Sequence, residues 1–204
     1  MPMTRPLIIC DVDEVVLHFV SPFSAFLEKQ GLHLIKRSYA LSGNIVERQS
    51  GTPIAGKEIG TLVQAFFEAE SHGQPRIAGA SEALAELAEW ADISFLTNFP
   101  DALRDRREDN LAGHGMSYPL HTNSGPKGQA AAELAKGRRG EIIFLDDIGS
   151  NLISVGEYLP SAALIQFIGD DAFFDLAPEV DGVDFKTKNW EAAKQYIMTH
   201  MKRP

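Results

Sequence analysis

Residues Leu7 to Val15 read LIICDVDEV, four apolar side chains followed without transition by Asp11, Val12, Asp13 and Glu14. A short, continuous apolar run fits a strand buried on both faces, as in a parallel sheet. Two further runs end as abruptly, Ile93-Ser94-Phe95-Leu96 before Thr97 and Ile142-Ile143-Phe144-Leu145 before Asp146, and Ala163 to Ile168 is a fourth candidate strand. Helical patterns lie between and after them, over Ser81 to Trp90, Pro126 to Lys136, Gly149 to Leu159 and Asn189 to Met201. In the first of these Ser81 is placed as N-cap, with Leu84, Leu87 and Ala88 on one stripe. This alternation predicts an α/β fold, a Rossmann-like and mostly parallel sheet with helices on both faces. Ligands of such sheets sit beyond the carboxyl ends of the strands, so the three polar terminations are predicted to meet at one edge.

The stretch from about 18 to 76 breaks the rhythm. It gives a helix near Ser21 to Gln30, an irregular stretch containing Gly and Ser, and a helix near Gly56 to Glu70; Leu32 to Arg48 fits either extended or partly helical backbone. It reads as a small, mainly helical cap inserted over the site, which divides the chain into a core of 1–17 and 77–204 and a cap of 18–76. A length of 204 residues suits one such core with a satellite module.

Lys and Arg number 19 against 28 Asp and Glu, a formal charge of −9, with no basic stripe to offset it. Such a surface repels nucleic-acid backbones and anionic lipid, which disfavours a nucleic-acid polymer or a membrane as partner, whereas a small anionic ligand in a pocket with focused cations remains compatible. The single cysteine, Cys10, ends an apolar run and is expected to pack as a small hydrophobe. No run approaches the roughly 20 apolar residues of a membrane span, and Leu7 to Cys10 is too short for a signal-peptide core, so a cytoplasmic location is expected. The six histidines, His18, His33, His72, His114, His121 and His200, show no metal-ligand spacing.

Asp11 and Asp13 stand one residue apart where a buried strand ends, and two acids so close are stabilised by a cation or a shared proton. A divalent metal is implied. Pro126 suits a first helical position and would put Lys127 in the first turn, where the helix dipole disfavours a cation by roughly 0.3–1 kcal/mol. An anion should compensate it. In chain order these features are Asp-x-Asp after a strand, Thr97-Asn98 after a strand, Lys127 at a helix start, and Asp146-Asp147 after a strand with Asn151 behind.

That order is similar to the four sequence motifs of the haloacid-dehalogenase superfamily, over Arg5 to Phe19 and Ile77 to Phe167. The resemblance implies a Mg²⁺-dependent phosphatase acting on a small phosphorylated metabolite such as a nucleotide or sugar phosphate. Asp11 would be the nucleophile that forms an aspartyl-phosphate, and Asp13 the general acid and then base, its backbone carbonyl also reaching the metal. Asp147 would be the main metal ligand beside Asp11, with Asp146 and Asn151 acting directly or through water. Thr97 and Lys127 would stabilise the transferring phosphoryl group, and Asn98 would contact substrate. Glu14 and Asn151 depart from the pattern, since much of the family has a small residue, often Gly, at the first position and often an acid at the second.

In the cap, Lys36, Arg37, Tyr39 and Arg48 are the candidates to bind the leaving group, with Arg37 and Arg48 singled out. Phe66 and Phe67 could stack on a ring but more simply pack the cap's own core. Three alternatives remain. A dehalogenase on the same fold would need neither metal nor an acid at Asp13, a binding protein would have kept the fold and lost turnover, and a receiver domain would order its acidic pair differently. Oligomeric state is not legible.

Overall fold

The computed structural model describes residues 5–201; residues 1–4 and 202–204, the outer ends of the expected core segments, lie outside the described residues. In chain order its elements are β1 (Leu7–Cys10), α1 (Val20–Lys29), β2 (Leu32–Leu34), β3 (Ile45–Glu47), α2 (Gly56–Glu70), α3 (Ala80–Leu87), β4 (Asp92–Thr97), α4 (Arg104–Gly113), β5 (Leu120–Thr122), α5 (Gly128–Ala135), β6 (Ile142–Asp146), α6 (Gly149–Tyr158), β7 (Ala163–Phe167), α7 (Asp171–Leu176), β8 (Phe185–Thr187) and α8 (Trp190–Met201). Short 3₁₀ turns at Ser71–Gly73 and Asp101–Leu103 follow α2 and precede α4.

Six strands form one parallel sheet in the order β5-β4-β1-β6-β7-β8. Counted along the sheet strands alone, this is the doubly wound order, which reverses between its first and fourth strands. Those strands are β1 and β6, and Asp11 and Asp146 stand at their carboxyl ends.

The burial explains why the runs are continuously apolar. Ile8 and Cys10 of β1 join Leu84, Leu87, Phe95, Leu145 and Trp190 in a core on one face, while Leu7 and Ile9 join Phe144, Ala131, Leu152 and Val155 on the other. Both faces are covered, so neither register position can be polar. The free thiol of Cys10 is buried there, as expected.

Two local expectations are corrected. Helix α3 starts at Ala80 behind Gly79, whose φ of 82° no side chain adopts cheaply, so Gly79 and not Ser81 is the N-cap; the Ser81 hydroxyl instead meets Arg76 and Glu82. Helix α5 starts at Gly128, which leaves Lys127 as its N-cap residue rather than inside the first turn. Strands β5 and β8 and helix α7 were not anticipated.

Between β1 and α3, α1 and α2 lie where the pattern placed helices, and the stretch between them forms an antiparallel hairpin pairing Leu32 with Glu47 and Leu34 with Ile45. Phe66, fully buried, packs against Phe19, Phe23 and Phe26. Burying one such ring contributes roughly 1.5–3 kcal/mol to holding the unit together. This apolar cluster continues into Phe99 after β4, and Ile168 and Phe173 after β7, so the inserted unit is seated on the loops that leave the sheet. Among the described residues no helix is long and apolar enough to cross a membrane.

Candidate active site

The turn after β1 is held by its own backbone: the N–H groups of Val15, Val16 and Leu17 all point to the Val12 carbonyl, and Glu14 donates to Leu17 O. Glu14 takes a left-handed φ of 61°, the one described non-glycine residue to do so, which explains why a small residue is the easier choice there. Its carboxylate accepts hydrogen bonds from Phe19 N at 3.0 Å and Val20 N at 2.7 Å. Glu14 therefore caps α1 from the turn and ties the inserted unit to the strand that carries Asp11. His18, 3.6 Å from the same carboxylate, has its pKa raised by that hydrogen-bonding neighbour.

Asp11 donates its backbone N–H to Leu145 O and turns its carboxylate into a cleft of about 690 Å³ between the inserted unit and the sheet edge. Lys127 Nζ lies 2.6 Å from Asp11 Oδ1 and 2.7 Å from Asp146 Oδ2, with 1% of the lysine side chain exposed. The anion that the lysine's place at a helix start called for is thus a pair of carboxylates. Close packing delivers it: a Cβ on Gly128 would stand 2.3 Å from the Ser154 carbonyl, so only glycine lets α5 approach α6 this closely.

Asp146 is fully buried and its other oxygen accepts from Ile148 N at 2.9 Å and Asn151 Nδ2 at 3.0 Å. Asn151 thus supplies a donor where an acid would add a further negative charge. Asp147 faces the cleft; the Tyr39 hydroxyl lies 2.9 Å from its Oδ2 and 2.8 Å from its carbonyl, which Gln166 Nε2 also approaches at 3.3 Å. One oxygen from each of Asp11, Asp146 and Asp147 falls within 4.8 Å of the others, a spacing that suits a hard divalent cation.

The electrostatics fit a cation as well. Burial, and then the nearby Asp146 and Asp13, push the Asp11 carboxyl up to about 7 against the pull of Lys127. Burial followed by repulsion from Asp146 and Asp11 holds Asp147 well above the carboxylate range. Burial pulls the Lys127 pKa down, but Asp11 and Asp146 outweigh it and keep the ammonium charged. Burial and Asp147 hold the Tyr39 phenol protonated, so it is a donor. Two carboxyls raised in this way are stabilised by added positive charge.

Asp13 also lines the cleft, and its carboxylate is gripped by Arg107 Nη2 at 3.1 Å from each oxygen and by Gln74 Nε2 at 2.9 Å. Arg107 is fully buried, its guanidinium 4.2 Å from the centre of the Phe99 ring. Sequence reasoning missed Arg107 and Gln74, since nothing local separates Arg107 from Arg104 and Arg106 in the same charged run. Thr97 and Asn98 line the cleft at the end of β4, with Asn98 Nδ2 bonded to Gly125 O at 3.0 Å.

Asp11, Asp13, Thr97, Asn98, Lys127, Asp147 and Asn151 thus converge on one cleft, with Asp146 directly behind. Arg37 and Arg48 do not. Both are exposed and absent from the cleft walls; Arg48 stands 3.5 Å from Glu28 on α1, while Arg37 sits in the open loop whose inward residue is Tyr39. Lys36 from that loop pairs with Asp170 at 2.6 Å.

No protein-family model and no curated protein matches the sequence. Solved structures do match in shape over nearly the whole chain. A hydrolase of the haloacid-dehalogenase family from Deinococcus radiodurans, with bound phosphate and sodium, is 14% identical at a TM-score of 0.62, covering 97% of this chain and 96% of that one. A Bacillus subtilis hydrolase of the same kind bound to magnesium is 13% identical at 0.63, covering 96% and 99%. The L-2-haloacid dehalogenase of Xanthobacter autotrophicus is 12% identical at 0.61, covering 96% and 99%. With its doubly wound sheet, its insertion after the first strand and these relatives in shape, the chain has the haloacid-dehalogenase fold.

Proposed function

We propose that this protein is a Mg²⁺-dependent phosphatase that hydrolyses a small phosphate monoester through an aspartyl-phosphate on Asp11. The observation that carries this is the buried Lys127 bridging Asp11 and Asp146 beside Asp147, a constellation in which a nucleophilic carboxylate, a cation and two further acids share one corner. Asp11 and Asp147 would hold the metal with the Asp13 backbone carbonyl, and Asp146 would anchor Lys127 and Asn151 behind them. When bound, Mg²⁺ supplies the charge that lets a carboxylate approach a phosphate dianion. That solved neighbours of this fold carry magnesium, or phosphate with sodium, supports the choice.

The chain's own groups divide the chemistry. Asp11 attacks phosphorus, and the ester P–O bond breaks as its oxygen takes a proton from Asp13. Water then attacks the acyl phosphate at phosphorus, giving its proton to Asp13, and phosphate and free Asp11 result. Lys127 stays charged throughout and neutralises oxygen charge on the phosphoryl group, to which Thr97 donates a hydrogen bond. Arg107 and Gln74 donate to the Asp13 oxygens and so hold its carboxyl group in place over the cleft.

The dehalogenase neighbour keeps a second reading open, because the cleft wall is largely apolar. Displacing halide from carbon uses no metal. Phosphate release from a phosphomonoester that needs Mg²⁺, stops with chelator and is lost in Asp11→Asn is the expected result; halide release from a haloacid in the presence of chelator would replace phosphatase by dehalogenase.

A further inference from the structure

Resting on the phosphatase reading, the walls of the cleft narrow its substrate class. We infer that the leaving group is apolar and carries no second anionic group, in place of the nucleotide or sugar phosphate that the sequence suggested. Three observations support this.

The first is charge. Lys127 is the only Lys or Arg among the described residues that line the cleft, and both of its near carboxylates already engage it. Nearby cations are committed: Arg107 holds Asp13 and Lys36 holds Asp170. A second phosphate or a carboxylate on the substrate would find no uncommitted Lys or Arg among the described residues of the cleft wall.

The second is the rim. Glu179 and Asp181 are exposed at the cleft, and among the described residues neither has an ion-pair partner. They repel a further anion.

The third is the wall itself. Four large hydrophobic residues are exposed among the described residues, and two of them, Ile148 at 45% and Ile153 at 49%, lie on the cleft. Leu41, Val63, Phe67 and Val180 extend the same surface from the inserted unit and from the loop after α7. Apolar side chains held open to solvent beside a phosphoryl site gain by covering an apolar group, and a sugar hydroxyl placed there would exchange water for carbon. An alkyl or aryl monophosphate fits.

The test compares kcat/KM with Mg²⁺ for hexyl phosphate and glucose 6-phosphate, both esters of primary alcohols with similar leaving-group basicity, and for fructose 1,6-bisphosphate. Acetyl phosphate, whose small acetate leaving group needs no protonation and offers the wall little to grip, reports phosphoryl transfer to Asp11 apart from the wall. Hexyl phosphate should exceed both sugar phosphates by at least about tenfold, the discrimination expected of a hydrophobic pocket. Ile153→Asp, on an exposed position of α6, should bring the ratio of hexyl phosphate to glucose 6-phosphate towards one. Turnover of acetyl phosphate with glucose 6-phosphate or the bisphosphate equal to or better than hexyl phosphate overturns the inference and leaves the phosphatase standing. Failure to hydrolyse any of the four refutes both.

Discussion

Replacing Lys127 by Met removes one charge from a site where 1% of the side chain is exposed and leaves two buried carboxylates facing each other. Methionine keeps most of the volume, so the loss is electrostatic. Breaking a buried pair by removing one partner costs about 3–5 kcal/mol, because the remaining charge is uncompensated. At about 2–4 °C per kcal/mol for a chain of this size, the melting temperature should fall by roughly 6–20 °C in chelator at about pH 8. The pH dependence has a definite sign. Without the lysine, Asp11 is raised beyond its already elevated value of about 7, so the folded variant holds protons that the unfolded chain has lost. Acid then stabilises the variant relative to its unfolded state, and the gap to wild type narrows towards about pH 5. Mg²⁺ should restore part of the stability at the higher pH by replacing the missing positive charge, while turnover stays at least about a hundredfold down, the scale of losing a transition-state charge partner. Paired thermal melts with and without Mg²⁺ at both pH values measure this. A variant that melts with wild type at about pH 8 in chelator would show that Lys127 is not what neutralises this corner.

Glu14 combines a strained φ with a cap on α1. Glu14→Ala loses the cap and keeps the strain, so it should cost about 1–3 kcal/mol, whereas Glu14→Gly relieves about 1–2 kcal/mol of strain and should fall near wild type; denaturant unfolding with alanine the milder change would contradict this. Tyr39→Phe removes the donor that orients Asp147 and should weaken Mg²⁺ binding by calorimetry about tenfold or more, since partners behind metal ligands typically contribute that much; an unchanged affinity would remove Asp147 from the metal site. Wild type in chelator should lose stability as pH rises from about 5 to about 8, because Asp11 titrates near 7 when folded against 3.8 ordinarily and the folded state holds the extra proton in between; a chemical-denaturation midpoint that rises over that interval would be the wrong sign.

The strands that sequence reading found, β1, β4, β6 and β7, are those buried on both faces, where burial forces a continuous apolar run. Strands β5 and β8 are three-residue edges, LHT and FKT, partly buried and with two polar residues in three, so no run marks them. The residues at the sheet edge were legible for the same reason: a buried strand that stops at Asp11, Thr97 or Asp146 announces its polar end. Arg107 and Gln74 were not, because their partner Asp13 lies 94 and 61 residues away in sequence and only packing joins them. In the inserted unit, Tyr39 reaches Asp147 while Arg37 of the same irregular loop stays outside, and Arg48, beyond β3, turns to Glu28 on α1, differences that composition does not show. Glu14, a departure from the family pattern by sequence, proves to hold the turn and the insertion together at once.

The phosphoryl acceptor is the most direct test of what this site does. After acid quench during turnover of a phosphate monoester with Mg²⁺, mass spectrometry of the peptide containing Asp11 should show one added phosphoryl group, absent in chelator and in Asp11→Asn. Sustained phosphate release with that peptide unmodified, or release that continues undiminished in Asp11→Asn, would contradict nucleophilic catalysis by Asp11.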